Sequence, residues 1–485
     1  MFFQKSSNVI FRNYDSFGYI TDNRNFTYKK MPADKNPQGD KILSASGAIF
    51  FSALDNKPKS IEEIAIIIKK LFINVDIETI KNDAKEFYFT LEKDQFVVSG
   101  KTSQECLKKD FDFLNDKYNN LYSQKSSLQN SNQQEKTPQD FLEEYYKGKP
   151  QLTNVHIEIT SKCNERCVHC YIPHENKLED ITPNLFYDIV KQCYNMKVLH
   201  LTLSGGEPMM HKNFLEFLRE CRKYNFSVNI LSNLTLLTDE IIAEMKKNPL
   251  LGVQVSLYSM DNKIHDAITQ HKGSFERTKK SILELSKNNI ALQISCPIIK
   301  QNKNCYLGVV EWAKKYNIHT GDDYVIIARY DNTTKNLSYR LSISDVRELI
   351  YEKETQNTNY FDQIKLEAEK KNISPDDYIC SVCNSSICIA DNGNVYPCAG
   401  WQGFVVGNVK ETPLNDIWVN SERVNYLRSL RRRDFSKCVQ CADKEFCTMC
   451  MVRNANESPL GNPLEVNEYF CNIARLNKEM ALKRK

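Results

Sequence analysis

The chain has 485 residues, more than one hydrophobic core usually holds, so several domains are expected. Its 65 basic and 61 acidic residues give a net charge of only +4, which argues against nucleic-acid or membrane partners. The N-terminus lacks a basic segment followed by an apolar one, and the most apolar run, residues 64–73, is interrupted by Lys69 and Lys70. We therefore expect a soluble, cytoplasmic protein whose 17 cysteines serve metal or redox chemistry rather than disulfides.

Residues 1–100 predict a winged helix-turn-helix domain. Ser60 with Glu63 three residues later is typical of a helix N-terminal capping box. A DNA-binding winged helix would concentrate Lys and Arg on one recognition helix, and this sequence does not. The pattern consists of strand-like runs at 8–12 and 18–21, helical patterns at 42–54, 60–72 and 77–92, and a strand-like run at 95–98.

Two polar segments connect larger units. Residues 101–150 are expected to be a linker with helical flanks, whose low-complexity centre, 123–137, cannot bury enough apolar surface to fold alone. Within this linker a helix is predicted over 138–147. Residues 346–377 are predicted to be a helical connector.

Residues 151–345 alternate between strand and helix patterns. Such alternation implies parallel strands joined by right-handed crossovers, hence an α/β fold with a partial, TIM-like (β/α)6 barrel. Catalytic residues should then lie at the carboxyl ends of the strands. The predicted strands are 155–160, 198–204, 227–231, 253–258, 291–299 and 323–328.

A CxxxCxxC loop, formed by Cys163, Cys167 and Cys170, follows the first of these strands. Three thiolates can hold three irons of one cubane and leave the fourth iron open to a reactant. Zinc would normally require a fourth protein ligand for a closed site. None is close in sequence, because His156 precedes the loop and His169 lies inside it.

This loop, with Tyr171 directly after it, resembles that of the radical S-adenosylmethionine (SAM) enzymes. In that family the open iron chelates the amino and carboxylate groups of SAM, and the reduced cluster cleaves SAM to a 5′-deoxyadenosyl radical. The resemblance extends to short motifs after the later strands. It implies that the cofactor-binding residues are Tyr171, Gly205, Gly206, Glu207, Asn233, Ser256 and Arg329.

The individual motifs differ in specificity. Gly205-Gly206-Glu207-Pro208, about 35 residues after the cysteine loop, matches the stretch that the family assigns to the SAM amino group. Asn233 matches a residue near the SAM ribose, although a plain turn would give the same pattern. Arg329, placed at the end of the sixth predicted strand, could offer a cation to SAM or to substrate, or form a structural salt bridge. Thr269 stands where many members carry an Arg.

Residues 378–485 contain nine further cysteines, several of them in CxxC spacings. Two zinc knuckles would account for such spacings. Downstream of a radical SAM core, the pattern resembles a SPASM domain with two auxiliary [4Fe–4S] clusters. The resemblance assigns Cys380, Cys383, Cys398 and Cys450 to one cluster, and Cys438, Cys441, Cys447 and Cys471 to the other.

Two features leave it open which cysteines bind the first auxiliary cluster. The spacer before Cys450 is two residues where the family commonly has three. Cys388 is an extra thiol in a predicted strand, either a buried free cysteine or a replacement for Cys380 as a ligand. The remaining thiols, Cys106, Cys193, Cys221, Cys296 and Cys305, are predicted to lie in the core or on the surface.

Over nearly its whole length the chain resembles thioether-forming peptide maturases of the sactipeptide and ranthipeptide type, with residues 1–100 as the precursor-recognition element. The resemblance implies SAM, three [4Fe–4S] clusters, a ribosomal precursor peptide whose leader binds the N-terminal domain, and a reductant such as flavodoxin or ferredoxin. An anaerobic sulfatase maturase is an alternative, but such enzymes carry Asp where this chain has Ala399. A non-catalytic iron–sulfur or zinc scaffold that binds a peptide is another.

Overall fold

The structure is a computed structural model that describes residues 1–22, 39–119, 138–176 and 178–483. The low-complexity segment predicted at 123–137 lies outside these residues. The strands are β1 Phe2–Lys5, β2 Ile10–Asn13, β3 Phe17–Thr21, β4 Asp40–Ser44, β5 Lys59–Ser60, β6 Val97–Gly100, β7 Asn154–Thr160, β8 His200–Gly205, β9 Ser227–Ser232, β10 Leu251–Ser256, β11 Ala291–Ser295, β12 His319–Gly321, β13 Ser386–Ile389, β14 Asn394–Tyr396 and β15 Gly407–Asn408.

The helices follow the same order along the chain. They are α1 Ala45–Ser52, α2 Ile61–Lys69, α3 Ile77–Lys93, α4 Ser103–Asn119, α5 Pro138–Tyr145, α6 Pro183–Asn195, α7 Phe214–Lys223, α8 Asp239–Lys246, α9 Asn262–Thr269, α10 Ser274–Lys287, α11 Tyr306–Lys315, α12 Ile343–Gln356, α13 Tyr360–Glu369, α14 Leu414–Asn420, α15 Glu422–Ser429, α16 Ser436–Val439, α17 Met451–Glu457 and α18 Glu468–Leu482. In the described ranges, no helix is both long and apolar enough to cross a bilayer.

The N-terminal residues form two small antiparallel sheets, ordered β5-β1-β6 and β2-β3-β4, packed with helices α1–α3. The predicted capping box is present: the Ser60 hydroxyl accepts from the Glu63 N–H, and the Glu63 carboxylate accepts from the Ser60 N–H. The predicted helix over 42–54 is wrong in its first turn. Residues 42–44 pair with β3, and the helix begins only after Ser44, whose hydroxyl caps it.

The large sheet runs β12-β11-β10-β9-β8-β7-β13-β14-β15; its first seven strands are parallel to one another, and β14 and β15 are added antiparallel. Strands β7–β12 alternate with helices, which confirms the predicted α/β fold with a partial barrel. The sixth strand was predicted at 323–328, and this was wrong: the strand that pairs with β11 is β12, and 322–329 is irregular. The chain has already left the ladder there, so only single bonds such as Ile298 N–H to Asp323 O, at 2.7 Å, join the two segments.

The N-terminal domain docks on the end of the sheet opposite to the carboxyl ends of its strands. Ile10, Phe17 and Tyr19 form one buried cluster with Leu199 and Leu250, which directly precede β8 and β10. Arg12, only 2% exposed, donates through Nε to the Val198 carbonyl at 2.9 Å. The small domain is therefore attached to the barrel by buried contacts far along the strands from the cysteine loop.

Candidate active site

The cysteine loop leaves the carboxyl end of β7 and is held by backbone hydrogen bonds from a neighbouring helix. Arg166 N–H donates to the Thr269 carbonyl at 2.9 Å, and Val168 N–H donates to the Ile268 carbonyl at 3.0 Å. The Thr269 side chain is buried and bonds to Ser274 at 2.7 Å. At the position where many members of the family carry an Arg, this chain has Thr269, whose backbone supports the loop.

Gly205 and Gly206 let two backbones meet. Gly206 N–H donates to the Thr160 carbonyl, and Glu207 N–H donates to the Lys162 carbonyl, each at 2.8 Å. A Cβ on Gly205 would lie 1.8 Å from the Thr160 oxygen, and one on Gly206 would lie 2.1 Å from the Lys162 oxygen. The glycines were predicted to admit a ligand; in the structure they admit the start of the cysteine loop itself.

Glu207 is fully buried and already bonded within the protein. Its Oε1 accepts from Met209 N–H at 3.0 Å and from the Ser232 hydroxyl at 2.8 Å, and its Oε2 accepts from Asn233 N–H at 2.7 Å. Burial raises the pKa of Glu207 to about 7, against the lowering effect of these donors. Glu207 therefore ties the turn after β8 to the turn after β9.

The side chains after β9 and β10 reach the cysteine loop. Asn233 Nδ2 donates to Asn164 Oδ1 at 2.9 Å, directly beside Cys163. Ser256, at the end of β10, lies near the Tyr258 hydroxyl, and burial raises the pKa of that hydroxyl well above its ordinary value, with the neighbouring Cys167 adding to the rise. The strand ends thus meet at this loop, as the barrel geometry predicts.

Arg329 was predicted at the end of the sixth strand, and this placement is wrong because β12 ends at Gly321. It lies instead at the end of the irregular segment 322–329, with its N–H bonded to the Thr333 carbonyl at 3.1 Å. Its side-chain Nε is buried without a hydrogen-bond partner among the described residues. A buried guanidinium N–H without an acceptor is suited to a carboxylate ligand.

Sequence reasoning missed Glu158 and Gln402. Glu158 is buried in β7, accepts from the Tyr171 hydroxyl at 3.2 Å, and also accepts from the Gln402 amide. Burial raises the pKa of Glu158 to about 7. A single carboxylate in a largely buried strand, next to the cysteine loop, was the available signal.

Cys380, Cys383, Cys398 and Cys450 lie within electrostatic reach of one another. Burial raises the pKa of Cys398 to about 11, and the nearby Cys450 and Cys380 thiols raise it further. Burial likewise raises the pKa of Cys383 to about 12, with Arg428 acting in the opposite direction. Cys388 is fully buried in β13, close to Glu158 and Cys398. Cys388 therefore lies near the thiols of the first predicted set, whose role as cluster ligands stays a prediction.

The second predicted set surrounds a cavity of about 300 Å³. Burial raises the pKa of Cys438 to about 11, with further increases from Cys447, Cys471 and Cys441. Arg432 lowers it by its positive charge. Over the described ranges, no three His, Cys, Asp or Glu side chains are close enough to hold a single metal ion. In a four-iron cluster each thiolate binds a different iron, so the ligands do not converge on one point.

The thiols outside these groups are free in the structure. Cys106, Cys193, Cys221 and Cys296 are buried in the cores, as predicted. Cys296 follows β11 and bonds weakly to the Tyr258 carbonyl at 3.8 Å. Cys305 is partly buried beside the Ser259 hydroxyl at 3.3 Å.

The fold and the site define a parallel-sheet protein with a three-cysteine loop at its strand ends and a cysteine-rich C-terminal domain. Residues 157–313 match the model of the radical SAM superfamily, and residues 380–443 match the iron–sulfur cluster-binding SPASM domain. The chain therefore contains a radical SAM domain followed by a SPASM domain, which bind SAM and iron–sulfur clusters.

Known proteins share parts or nearly all of this arrangement. The structure of Streptococcus suis SuiB bound to precursor peptide SuiA has a TM-score of 0.60 and 16% identity, and the match covers 96% of this chain and 99% of that one. An AdoMet-dependent heme synthase of Methanosarcina barkeri is 26% identical over 320 residues, 61% of this chain and 90% of the relative. The antilisterial bacteriocin subtilosin biosynthesis protein AlbA of Bacillus subtilis is 25% identical over 326 residues, 64% of this chain and 69% of the relative.

Proposed function

We propose that this protein is a peptide maturase that joins a cysteine sulfur to a carbon of another residue in a ribosomally made precursor. The observation that carries the proposal is the likeness to SuiB, solved with its precursor peptide, over 96% of this chain. That likeness includes the N-terminal domain. The heme synthase, in contrast, leaves more than a third of this chain unmatched, since it covers 61%.

The residues fit three [4Fe–4S] clusters. Cys163, Cys167 and Cys170 would hold the first and leave one iron open, and the two C-terminal sets of four thiols would each hold one more. When bound, the first cluster and SAM supply the 5′-deoxyadenosyl radical that abstracts hydrogen from an unactivated carbon. The protein must position the substrate thiol and exclude water, and the complete burial of Cys383 fits this demand.

We assign the SAM site to Tyr171, Gly205, Gly206, Glu207, Asn233, Ser256 and Arg329, with roles that the contacts refine. Glu207 and Asn233 act as positioning residues, because their side chains already bond to protein groups. The backbone of 205–206 supports the cysteine loop on one side. We assign the other side of this backbone to the SAM amino group. Arg329, with its buried and unpaired Nε, is the cation that we assign to a carboxylate of SAM or of the peptide.

The remaining partners follow from the same proposal. The N-terminal domain, residues 1–100, would bind the leader and raise the effective concentration of the core peptide near the barrel. The connecting segment 101–150 would act as the tether, and 346–377 would join the barrel, 151–345, to the SPASM domain, 378–485. Flavodoxin or ferredoxin would supply electrons to the first cluster.

The competing functions make different demands on the same residues. Formylglycine formation by a sulfatase maturase uses an Asp base where this chain has Ala399, a residue that packs with Cys388 and Tyr396. A non-catalytic scaffold would need no open iron.

Replacement of Cys163, Cys167 and Cys170 by Ala should abolish SAM cleavage and keep the auxiliary clusters visible by electron paramagnetic resonance. SAM cleavage equal to wild type in this variant would contradict an enzymatic role for the loop.

A further inference from the structure

A cavity of about 940 Å³ with charged walls lies between the N-terminal domain and the end of the barrel at which its strands begin. Its walls come from β2, from the segment 52–57, and from the residues that precede β8, β9 and β10. Eight Lys or Arg side chains line it. They lie near four carboxylates, those of Asp55, Asp110, Glu220 and Glu244, which leaves an excess of four positive charges.

Two of these cations, Lys5 and Arg12, are buried and form no direct ion pair with a described residue. Lys5 is 8% exposed, and among the described residues its ammonium group makes no hydrogen bond or ion pair. Burial lowers the pKa of Lys5 to about 7, and the charge of Arg12 adds to this lowering, while Asp55 and Asp110 act in the opposite direction. Within the part of the chain that the structure describes, the Arg12 guanidinium donates to backbone carbonyls alone, those of Val198, Phe11 and Asn225. Buried charges are costly unless paired, so an anion in this cavity would relieve both groups.

The shape of the site favours an extended chain over a compact phosphate. β2 is an edge strand of its sheet, and its residues 11–13 line the cavity. An edge strand offers backbone groups with which an extended peptide can pair. The cations are spread over both walls, with Lys57 on the small domain and Lys197 on the barrel, whereas phosphate sites gather convergent donors around one group.

We propose that this cavity binds an acidic segment of the peptide substrate, with Asp or Glu side chains along its two basic walls. The inference rests on the proposed function, because it takes that enzyme's substrate as the ligand. The site lies at the opposite end of strands such as β8, whose six residues span about 20 Å at roughly 3.3 Å each. The acidic segment must therefore precede or follow the modified residues by at least about six extended residues.

The test uses the full-length, cluster-loaded protein and a fluorescein-labelled dodecapeptide rich in Glu, with a Glu-to-Gln version as its partner. Fluorescence anisotropy should show binding of the acidic peptide that weakens with salt, and at least about tenfold weaker binding of the Gln version. The variant K57E/K197E should lose about tenfold or more in affinity, and Lys5→Met should lose affinity without a change in charge at the rim. The matched control K314E/K315E alters two exposed lysines of α11 outside the cavity and should bind as wild type.

The inference is overturned if both peptides bind equally, or if K314E/K315E loses as much affinity as K57E/K197E. It is also overturned if sodium tripolyphosphate binds saturably, displaces the peptide at lower concentration and depends on the same lysines, since the cavity is then a phosphate site. SAM cleavage by each variant is measured in parallel. Intact cleavage with no peptide affinity rejects this cavity alone, whereas absent cleavage in the wild type rejects the proposed function.

Discussion

The Tyr171 hydroxyl donates to Glu158 Oε1 at 3.2 Å, while the Gln402 amide bonds to the other oxygen of the same carboxyl group. Tyr171 directly follows Cys170 of the cysteine loop, and Gln402 lies four residues after Cys398 in the SPASM domain. One buried side chain of β7 therefore joins the loops of two cysteine groups. It fixes the position of the first auxiliary set relative to the SAM site.

Tyr171→Phe should weaken this connection between the two loops by removing the hydrogen bond to Glu158. Loss of a hydrogen bond to a buried carboxyl group costs about 1 to 3 kcal/mol, so the melting temperature of the loaded enzyme should fall. SAM cleavage should slow as well, because the loop that holds the open iron loses a support. Tyr426→Phe, at a tyrosine that is 43% exposed, is the control and should match wild type. Equal melting temperatures for the two variants would show that the bond does not support the fold.

Gly206→Ala should destroy the contact between the turn after β8 and the cysteine loop. The added Cβ would lie 2.1 Å from the Lys162 carbonyl oxygen, so one backbone must move. We expect iron content after anaerobic reconstitution to fall by about a third, from about 12 to about 8 per chain, because only the first cluster is lost.

Gly308→Ala is the matched control for this substitution. Gly308 lies inside α11, and its nearest Cβ neighbour would be Met260 at 3.6 Å, an ordinary contact. It should retain all its iron and gain about 0.5 to 1 kcal/mol from the better helix propensity of Ala. Full iron loading in Gly206→Ala would contradict the role of this contact.

Glu207 should make stability depend on pH. Burial raises its pKa in the folded protein to about 7, from an ordinary value of 4.5, so the folded state holds the proton more tightly than the unfolded state. Ionisation of Glu207 therefore lowers the free energy of unfolding. This destabilisation is absent below pH 4.5, grows as pH rises to about 7 and then stays at about 3 kcal/mol. Glu207→Gln cannot ionise, so its free energy of unfolding should rise relative to wild type across this window.

Thermal denaturation across that pH range measures the difference between Glu207→Gln and wild type. The exposed Glu311→Gln on α11 should run parallel to wild type and serves as the control. A Glu207→Gln curve that is also parallel to wild type would show that Glu207 carries no raised pKa.

The sequence predicted those features that depend on short motifs or on strand and helix periodicity. The three-cysteine loop and the glycine turn follow strands β7 and β8, as the motif positions indicate, whereas the ligand roles of both C-terminal thiol sets stay a prediction. The partner of each side chain is not local: Glu158 meets Gln402 across 244 residues, and Arg12 meets Val198 across 186. The sixth strand was misplaced because the run 323–328 packs beside the barrel without pairing with β11. Sequence periodicity cannot distinguish a buried segment that pairs in a sheet from one that does not.

The first auxiliary set should tolerate one substitution better than the others. A cluster that takes up the substrate thiol and accepts an electron needs an iron that becomes available, and Cys388 lies beside Cys398 to replace a lost ligand. Cys383→Ala and Cys398→Ala should keep 5′-deoxyadenosine formation and stop crosslinking, with a milder effect at Cys380→Ala. Mass spectrometry of the peptide gives the crosslink yield. Wild-type yield in Cys398→Ala would remove this cluster from the chemistry.

The central claim is tested most directly by incubating the reconstituted enzyme, SAM and reductant with a small cysteine-containing peptide encoded beside its gene. Tandem mass spectrometry before and after thiol alkylation distinguishes the possible products. The account predicts a peptide that has lost two hydrogen atoms per crosslink and whose cysteine resists alkylation, because its sulfur is bonded to carbon. A peptide whose cysteines all remain open to alkylation, or whose cysteine has become an aldehyde, would contradict thioether formation.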